Sequence, residues 1–135
     1  MSYSIGQLAR TAETGVETIR FYERRGLMPE PPRTSSGYRR YPLDAAERLR
    51  FIQRAKRLGF TLDEIGSLLR LEAGGDRAEV KKIALAKLGE IETRIADLER
   101  MRATLCELTQ RCSGHGPVAG CPIIDALAEE TNDHA

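Results

Sequence analysis

No apolar run in the chain approaches the roughly 20 residues that span a bilayer. The start, Met1 to Ile5, lacks the basic opening and apolar stretch of a signal peptide. Both absences lead to the expectation of a cytoplasmic protein with no membrane association. Histidine is scarce, with only His115 and His134. No GxxxxGK[ST], GxGxxG, HExxH or GxSxG pattern occurs. With so few acid–base groups and no nucleophile motif, an enzyme is not expected. Cysteine is limited to Cys106, Cys112 and Cys121, all near the C-terminal end. In a reducing compartment these are thiols available to a metal ion rather than disulfide partners.

Net charge is almost absent, at +1, but the balance is uneven along the chain. Residues 1–70 hold 13 Lys/Arg against 8 Asp/Glu, and residues 71–135 hold 8 against 12. A polyanion would therefore meet the first half. With 135 residues, 41% of them hydrophobic, the chain is long enough for one compact head and one extended element.

The extended element is Arg77 to Arg111, which contains no proline. Leu88, Ile91, Ile95, Leu98 and Leu105 recur at steps of three and four, with Met101 and Leu108 beside the same seam. Arg102 interrupts the seam, its stem able to lie along it with the charge in water. A helix near 50 Å long, at about 1.5 Å per residue, cannot hide this stripe on the rest of one chain. Pairing with a second copy buries it.

Ahead of that helix the signals are short. Ser4 and Gln7 form a capping box for a helix from Ile5 to Ala12. Gly15 is expected to supply a positive φ in the following turn. A second helix runs from Val16 to Arg25, with Val16, Ile19 and Phe21 apolar and Glu17, Thr18, Arg20, Tyr22 and Arg24 polar or amphipathic, and Gly26 ends it. Two short helices joined through such a turn make a helix-turn-helix, whose second helix enters the major groove. Pro29, Pro31 and Pro32 forbid helix next. Ser36-Gly37 marks a hairpin and Tyr38 to Tyr41 a short strand, together a wing. Its Arg33 and Arg39 suit phosphates, and Tyr38 suits the sugar-phosphate backbone. A third helix follows from Leu43 to Leu58, and a fourth, boxed by Thr61 and Glu64, runs to Leu71. Leu62, Ile65, Leu68 and Leu69 close the core. Glu72 to Asp76 is a glycine hinge, with Asp76 capping the long helix. Beyond Arg111, glycines and Pro117 impose a loop, then Pro122 opens a short helix whose Ile123, Ile124 and Leu127 dock on the long one.

Within this loop Cys112 and Cys121 can meet on one ion, and thiolates select soft metals such as Cu(I), Ag(I), Au(I) or Hg(II). The alternative, two small buried apolar groups, sits poorly with the glycines and proline between them. Cys106 reads as a structural thiol and His115 as a solvated loop residue.

The run Val16-Glu17-Thr18-Ile19-Arg20-Phe21-Tyr22-Glu23-Arg24-Arg25-Gly26-Leu27 resembles the recognition helix of MerR-type transcription regulators. Gly37-Tyr38-Arg39-Arg40-Tyr41, Arg57 to Ile65, and the terminal Cys-x8-Cys-Pro-Ile-Ile resemble the same family, the last being like the loop of its metal sensors. The resemblance spans the chain. It implies a mainly α fold: a winged helix-turn-helix head (1–71), a hinge (72–76), a long antiparallel dimerisation coiled-coil helix (77–111), a C-terminal metal-binding loop with a short helix (112–128) and a flexible tail (129–135). It also implies a homodimer on double-stranded promoter DNA, distorting it so that RNA polymerase engages. The expected DNA-binding set is Glu17, Thr18, Arg20, Tyr22, Arg33, Ser36, Tyr38 and Arg39. The expected metal ligands are Cys112 and Cys121.

Arg77 departs from the pattern. Sensors of divalent ions carry a third cysteine there, and sensors of copper, silver and gold carry serine. Two thiolates on a monovalent ion leave a charge of −1, which Arg77 and the helix's positive end would offset. A two-thiolate Hg(II) complex is neutral and needs no such help. The head and Ala96 to Met101 are closer to mercury regulators, while Ala78 to Lys81 is closer to copper-efflux ones. Cu(I), Ag(I) or Au(I) is the favoured inducer and Hg(II) the alternative. An architectural or redox-responsive DNA binder, its cysteines oxidising, is the reading from another class.

Overall fold

The computed structural model describes residues 1–129. Its elements are β1 (Ser2–Tyr3), α1 (Ile5–Thr11), α2 (Val16–Arg24), β2 (Tyr41–Pro42), α3 (Asp44–Arg57), α4 (Leu62–Glu72), α5 (Arg77–Arg111) and α6 (Pro122–Ala128). They divide into two units, Met1–Lys87 and Leu88 onward. The expected tail, residues 129–135, falls outside the described residues from 130, and His134 with it.

The first unit is built around Leu8, Ile19, Tyr41, Leu49, Ile52 and Ile65, all fully buried. Ser4 and Gln7 close the expected box on α1, with Gln7 N–H donating to Ser4 Oγ at 3.2 Å and Ser4 N–H to Gln7 Oε1 at 2.8 Å. Thr61 and Glu64 do the same for α4, at 3.1 and 2.7 Å. The turn after α1 differs from expectation. Gly15 is extended (φ −98°) and precedes α2 as its N-cap, while the positive φ, 54°, belongs to Glu13. The reason lies in the helix end: Glu13 N–H bonds Arg10 O and Thr14 N–H reaches back to Ala9 O. That Schellman closure requires a left-handed residue at position 13, whatever its side chain.

On α2 burial does not follow the division into apolar and polar residues. Ile19 and Tyr22 are buried, whereas Phe21 is exposed. Residues three apart share a helix face, so Tyr22 follows Ile19 into the core and Phe21 is turned outward. The hairpin forms at Gly37, whose N–H bonds Thr34 O at 2.9 Å with φ +87°. Arg33 and Arg39 bridge across it. The ordered strand is shorter than expected and pairs elsewhere: Tyr41 lies opposite Tyr3 and Pro42 opposite Ser2, antiparallel. Arg40 fastens this ladder through Ser2 Oγ (2.9 Å) and Ser2 O (3.0 Å). Side chains of α3 secure two loops, Arg48 donating to Leu27 O at 2.6 Å and Gln53 to Ala12 O at 3.0 Å. Of the apolar set expected on α4, Ile65 and Leu69 are buried and Leu62 and Leu68 half-buried.

Between α4 and α5, where a hinge is expected, Asp76 caps α5 by accepting from Ala78 N–H at 3.0 Å. Gly75 is sterically fixed, because a Cβ there would stand 2.8 Å from Leu71 Cα. Lys87 on α5 is buried, its Nζ 3.0 Å from Glu64 Oε1 and 5.8 Å from the centre of the Phe60 ring.

In the second unit the seam of α5 is open to solvent. Leu88, Ile91, Ile95, Leu98, Met101 and Leu105 are all exposed, and Leu108 is buried. Helix α6 opens with Pro122 in its first turn. Ile123 is half-buried, but Ile124 and Leu127 stay exposed and do not dock within the chain. Among the described residues, no helix is long and apolar enough to cross a membrane.

Candidate functional site

Two places gather the chemistry expected from the sequence. The first is the outer face of α2 and the adjoining wing. Glu17, Arg20, Phe21 and Arg24 are exposed along one side of α2. Glu17 holds Arg20 at 3.0 Å, one turn away. Between α2 and the wing lies a cleft of about 500 Å³, lined by Arg20, Arg33, Ser36, Tyr38, Arg39 and Arg40 with Ser4, Ile5, Thr34 and Gly37, and by no carboxylate. Five of the eight residues expected to bind DNA line it. Tyr38 is 72% exposed. Arg33 is steadied by Gly37 O at 3.0 Å. Thr18 is half-buried.

Two expected residues stand differently. Tyr22, 3% exposed, is a core residue with Lys56 Nζ 5.9 Å from its ring centre. Arg39 is paired with carboxylates, Glu30 by a short contact and Glu23 at 3.6 Å. Arg24 and Phe21 are the positions that sequence reasoning passed over. The signal for both was helical spacing from the buried Ile19.

The second place is the cysteine loop. Cys112 follows the last turn of α5, its N–H bonding Leu108 O at 3.1 Å. Gly114, Gly116 and Gly120 take positive φ (78°, 92°, 84°) and turn the chain back on itself. Cys121 then caps α6, and the two sulfurs stand 3.9 Å apart as free thiols. The backbone N–H groups of Ile124 and then Ile123 hold the Cys121 thiol below its ordinary range by favouring the thiolate. With metal–sulfur bonds of about 2.3 Å, a linear S–M–S unit spans about 4.6 Å and a tetrahedral one about 3.8 Å. The pair therefore fits one ion, at a bent angle as it stands and linear after a shift of under an ångström. Among the described residues, no three His, Cys, Asp or Glu side chains come together as a larger metal cluster. His115 bonds only through its backbone, to Ser113. Cys106 is exposed, with Gln110 Nε2 at 3.8 Å. Arg77 is exposed at the first position of α5.

Residues 3–72 match the MerR HTH family regulatory protein profile, and residues 46–108 match the family described as MerR, DNA binding. The chain belongs to the MerR family. It is a DNA-binding transcription regulator and not an enzyme. Among MerR relatives, it is 42% identical over 127 residues to the mercuric resistance operon regulatory protein of Serratia marcescens, covering 94% of this chain and 88% of that one. It is 41% identical to the HTH-type transcriptional regulator CueR of Yersinia pestis, covering 93% and 91%. The crystal structure of the transcription regulator PbrR691 from Ralstonia metallidurans CH34 in complex with lead(II) superposes with a TM-score of 0.81 at 34% identity, covering 92% and 98%.

Proposed function

We propose that this MerR protein is a cytoplasmic, homodimeric activator that senses a soft thiophilic ion through Cys112 and Cys121, with Cu(I), Ag(I) or Au(I) as inducer. The observation that carries this is the pair of free thiols 3.9 Å apart, one of them at a helix start whose N–H groups favour negative charge. Two thiolates on a monovalent ion leave a charge of −1, and the donors at Cys121 are placed to offset it. Arg77, exposed at the start of α5, is the further cation proposed to offset it. The exposed seam of α5 supplies the dimer surface. Arg20, Arg33 and Tyr38 meet promoter DNA, which the loaded dimer distorts so that RNA polymerase engages.

The similarity to mercuric resistance regulators favours a second reading, Hg(II), whose two-thiolate complex is neutral. One titration separates them. The reduced protein is challenged with Cu(I), Ag(I), Hg(II) and Zn(II) against a competing thiol. Tight 1:1 uptake of the monovalent ions per loop supports the first reading. Uptake of Hg(II) alone supports the second, and no uptake of any ion defeats both.

A further inference from the structure

Arg39 lines the cleft between α2 and the wing, yet its charge is already committed. One of its guanidinium nitrogens meets Glu30 and the other is 3.6 Å from Glu23. The Glu23 side chain is only 4% exposed, and Arg39 only 24%. Glu23 also accepts a hydrogen bond of 2.6 Å from the hydroxyl of Tyr41, itself 1% exposed. Two carboxylates against one guanidinium give this cluster a charge of −1, which repels a phosphate. Its neighbours differ. Arg33 and Arg40 bond neutral oxygens of Gly37 and Ser2 and keep their full charge, and Arg20 is balanced by a single exposed Glu17.

The three elements joined here are telling. Glu23 lies on α2, Glu30 in the proline segment, and Arg39 and Tyr41 on the returning arm of the wing. A buried carboxylate must be paired, and removing its partner leaves an uncompensated charge. The pairing therefore fixes the wing against the recognition helix with a fork of planar geometry that lysine lacks.

We propose that Arg39 is a positioning residue. Clamped between Glu23 and Glu30, it sets the wing against α2 and does not itself neutralise a phosphate. This deepens the operator-binding role and rests on it.

The two roles for Arg39 predict opposite signs when a carboxylate is removed. The experiment uses the full-length dimer and a duplex that this dimer selects from a random library. If Arg39 bound phosphate, Glu30→Gln would free it, add positive charge and tighten binding. If Arg39 is a clamp, Glu30→Gln weakens binding, by about fivefold or more, the lower end of one lost directional contact. Glu23→Gln, which keeps the Tyr41 hydrogen bond, weakens it further. Glu30 is an exposed side chain, so its variant tests the point even where Glu23→Gln fails to fold. Amide exchange in the free protein gives a DNA-independent measure: the Thr34 N–H, bonded to Tyr38 O, exchanges faster in either variant. Tighter binding by Glu30→Gln with unchanged exchange overturns the clamp. Failure of the native chain to select any duplex overturns the operator role instead, while the exchange measurement still decides whether the wing is clamped.

Discussion

Tyr22 and Phe21 are adjacent on α2 with ring centres 5.9 Å apart, yet one is buried and the other exposed, and each has a different consequence when cut. Tyr22 is packed among Ile19, Leu27 and the α3 side chains of the core. Truncating a buried aromatic removes its transfer energy and leaves a cavity, together about 3–5 kcal/mol. Tyr22→Ala is therefore expected to lower the unfolding midpoint in urea strongly, while Tyr22→Phe, which keeps the buried ring, is expected to leave DNA affinity within about twofold. A tenfold loss of affinity from Tyr22→Phe at unchanged stability would restore the tyrosine to the interface. Phe21→Ala is the complement, costing under about 1 kcal/mol of stability at a half-open surface position. The sequence alone made this pair ambiguous. A tyrosine reads as amphipathic and a phenylalanine as core, and only the phase of the helix relative to Ile19 distinguishes them. Glu13 and Arg39 were hidden for related reasons. A left-handed glutamate is dictated by the backbone closure of α1, and the partners of Arg39 come from positions 9 and 16 residues away.

At the scale of elements, what was legible was local. The capping boxes at Ser4 and Thr61, the extent of α5, and the Asp76 cap depend on residues within four of one another. The pairing of Ser2–Tyr3 with Tyr41–Pro42 depends on residues nearly forty apart and left no local trace. Glu64 joins both kinds: it closes the box on α4 and also holds the buried Lys87. The Thr61 N–H, and after it Lys87, keep its carboxyl below the usual carboxylate range. A depressed folded pKa contributes stability that is present above the unfolded value of 4.5 and is lost as pH falls through the folded one. Glu64→Gln should therefore destabilise the head near neutral pH by about 1–3 kcal/mol and flatten the acid limb of its stability curve. Urea midpoints at several pH values between 3 and 7 measure this. An unchanged acid limb would remove Glu64 from the joint. On α5, Ile95 is 50% exposed within one chain, in the middle of the seam. Ile95→Glu puts a charge on each side of the proposed pairing surface, and sedimentation should show monomers at micromolar concentration. A dimer that survives the change would move the contact to another face.

For the whole molecule, sensing and DNA distortion must be two sides of one free energy. Bending a duplex of this size costs about 1–6 kcal/mol. An ion can shift a conformational balance only by its difference in affinity for the two states. If the loaded dimer favours distorted DNA and the relaxed operator favours the empty dimer, DNA lowers the affinity for the ion. By linkage, the ion then lowers the affinity for relaxed DNA by the same factor, about 5–150-fold for a coupling of 1–3 kcal/mol. Two titrations check this: ion into free dimer and into operator complex, then operator into empty and loaded dimer. The two ratios should agree. Cys112→Ser should abolish the coupling while leaving the empty protein's affinity for operator within about twofold, since the loop has no part in the head's core. Stripping the ion from the loaded complex with excess competing thiol should likewise return transcription to its uninduced level without releasing the DNA. Equal affinity for the ion with and without operator would mean that the cysteine pair binds metal but does not speak to the head. The regulation would then have to arise from redox change at those thiols, which peroxide treatment of the metal-free dimer would reveal as a shift in operator binding.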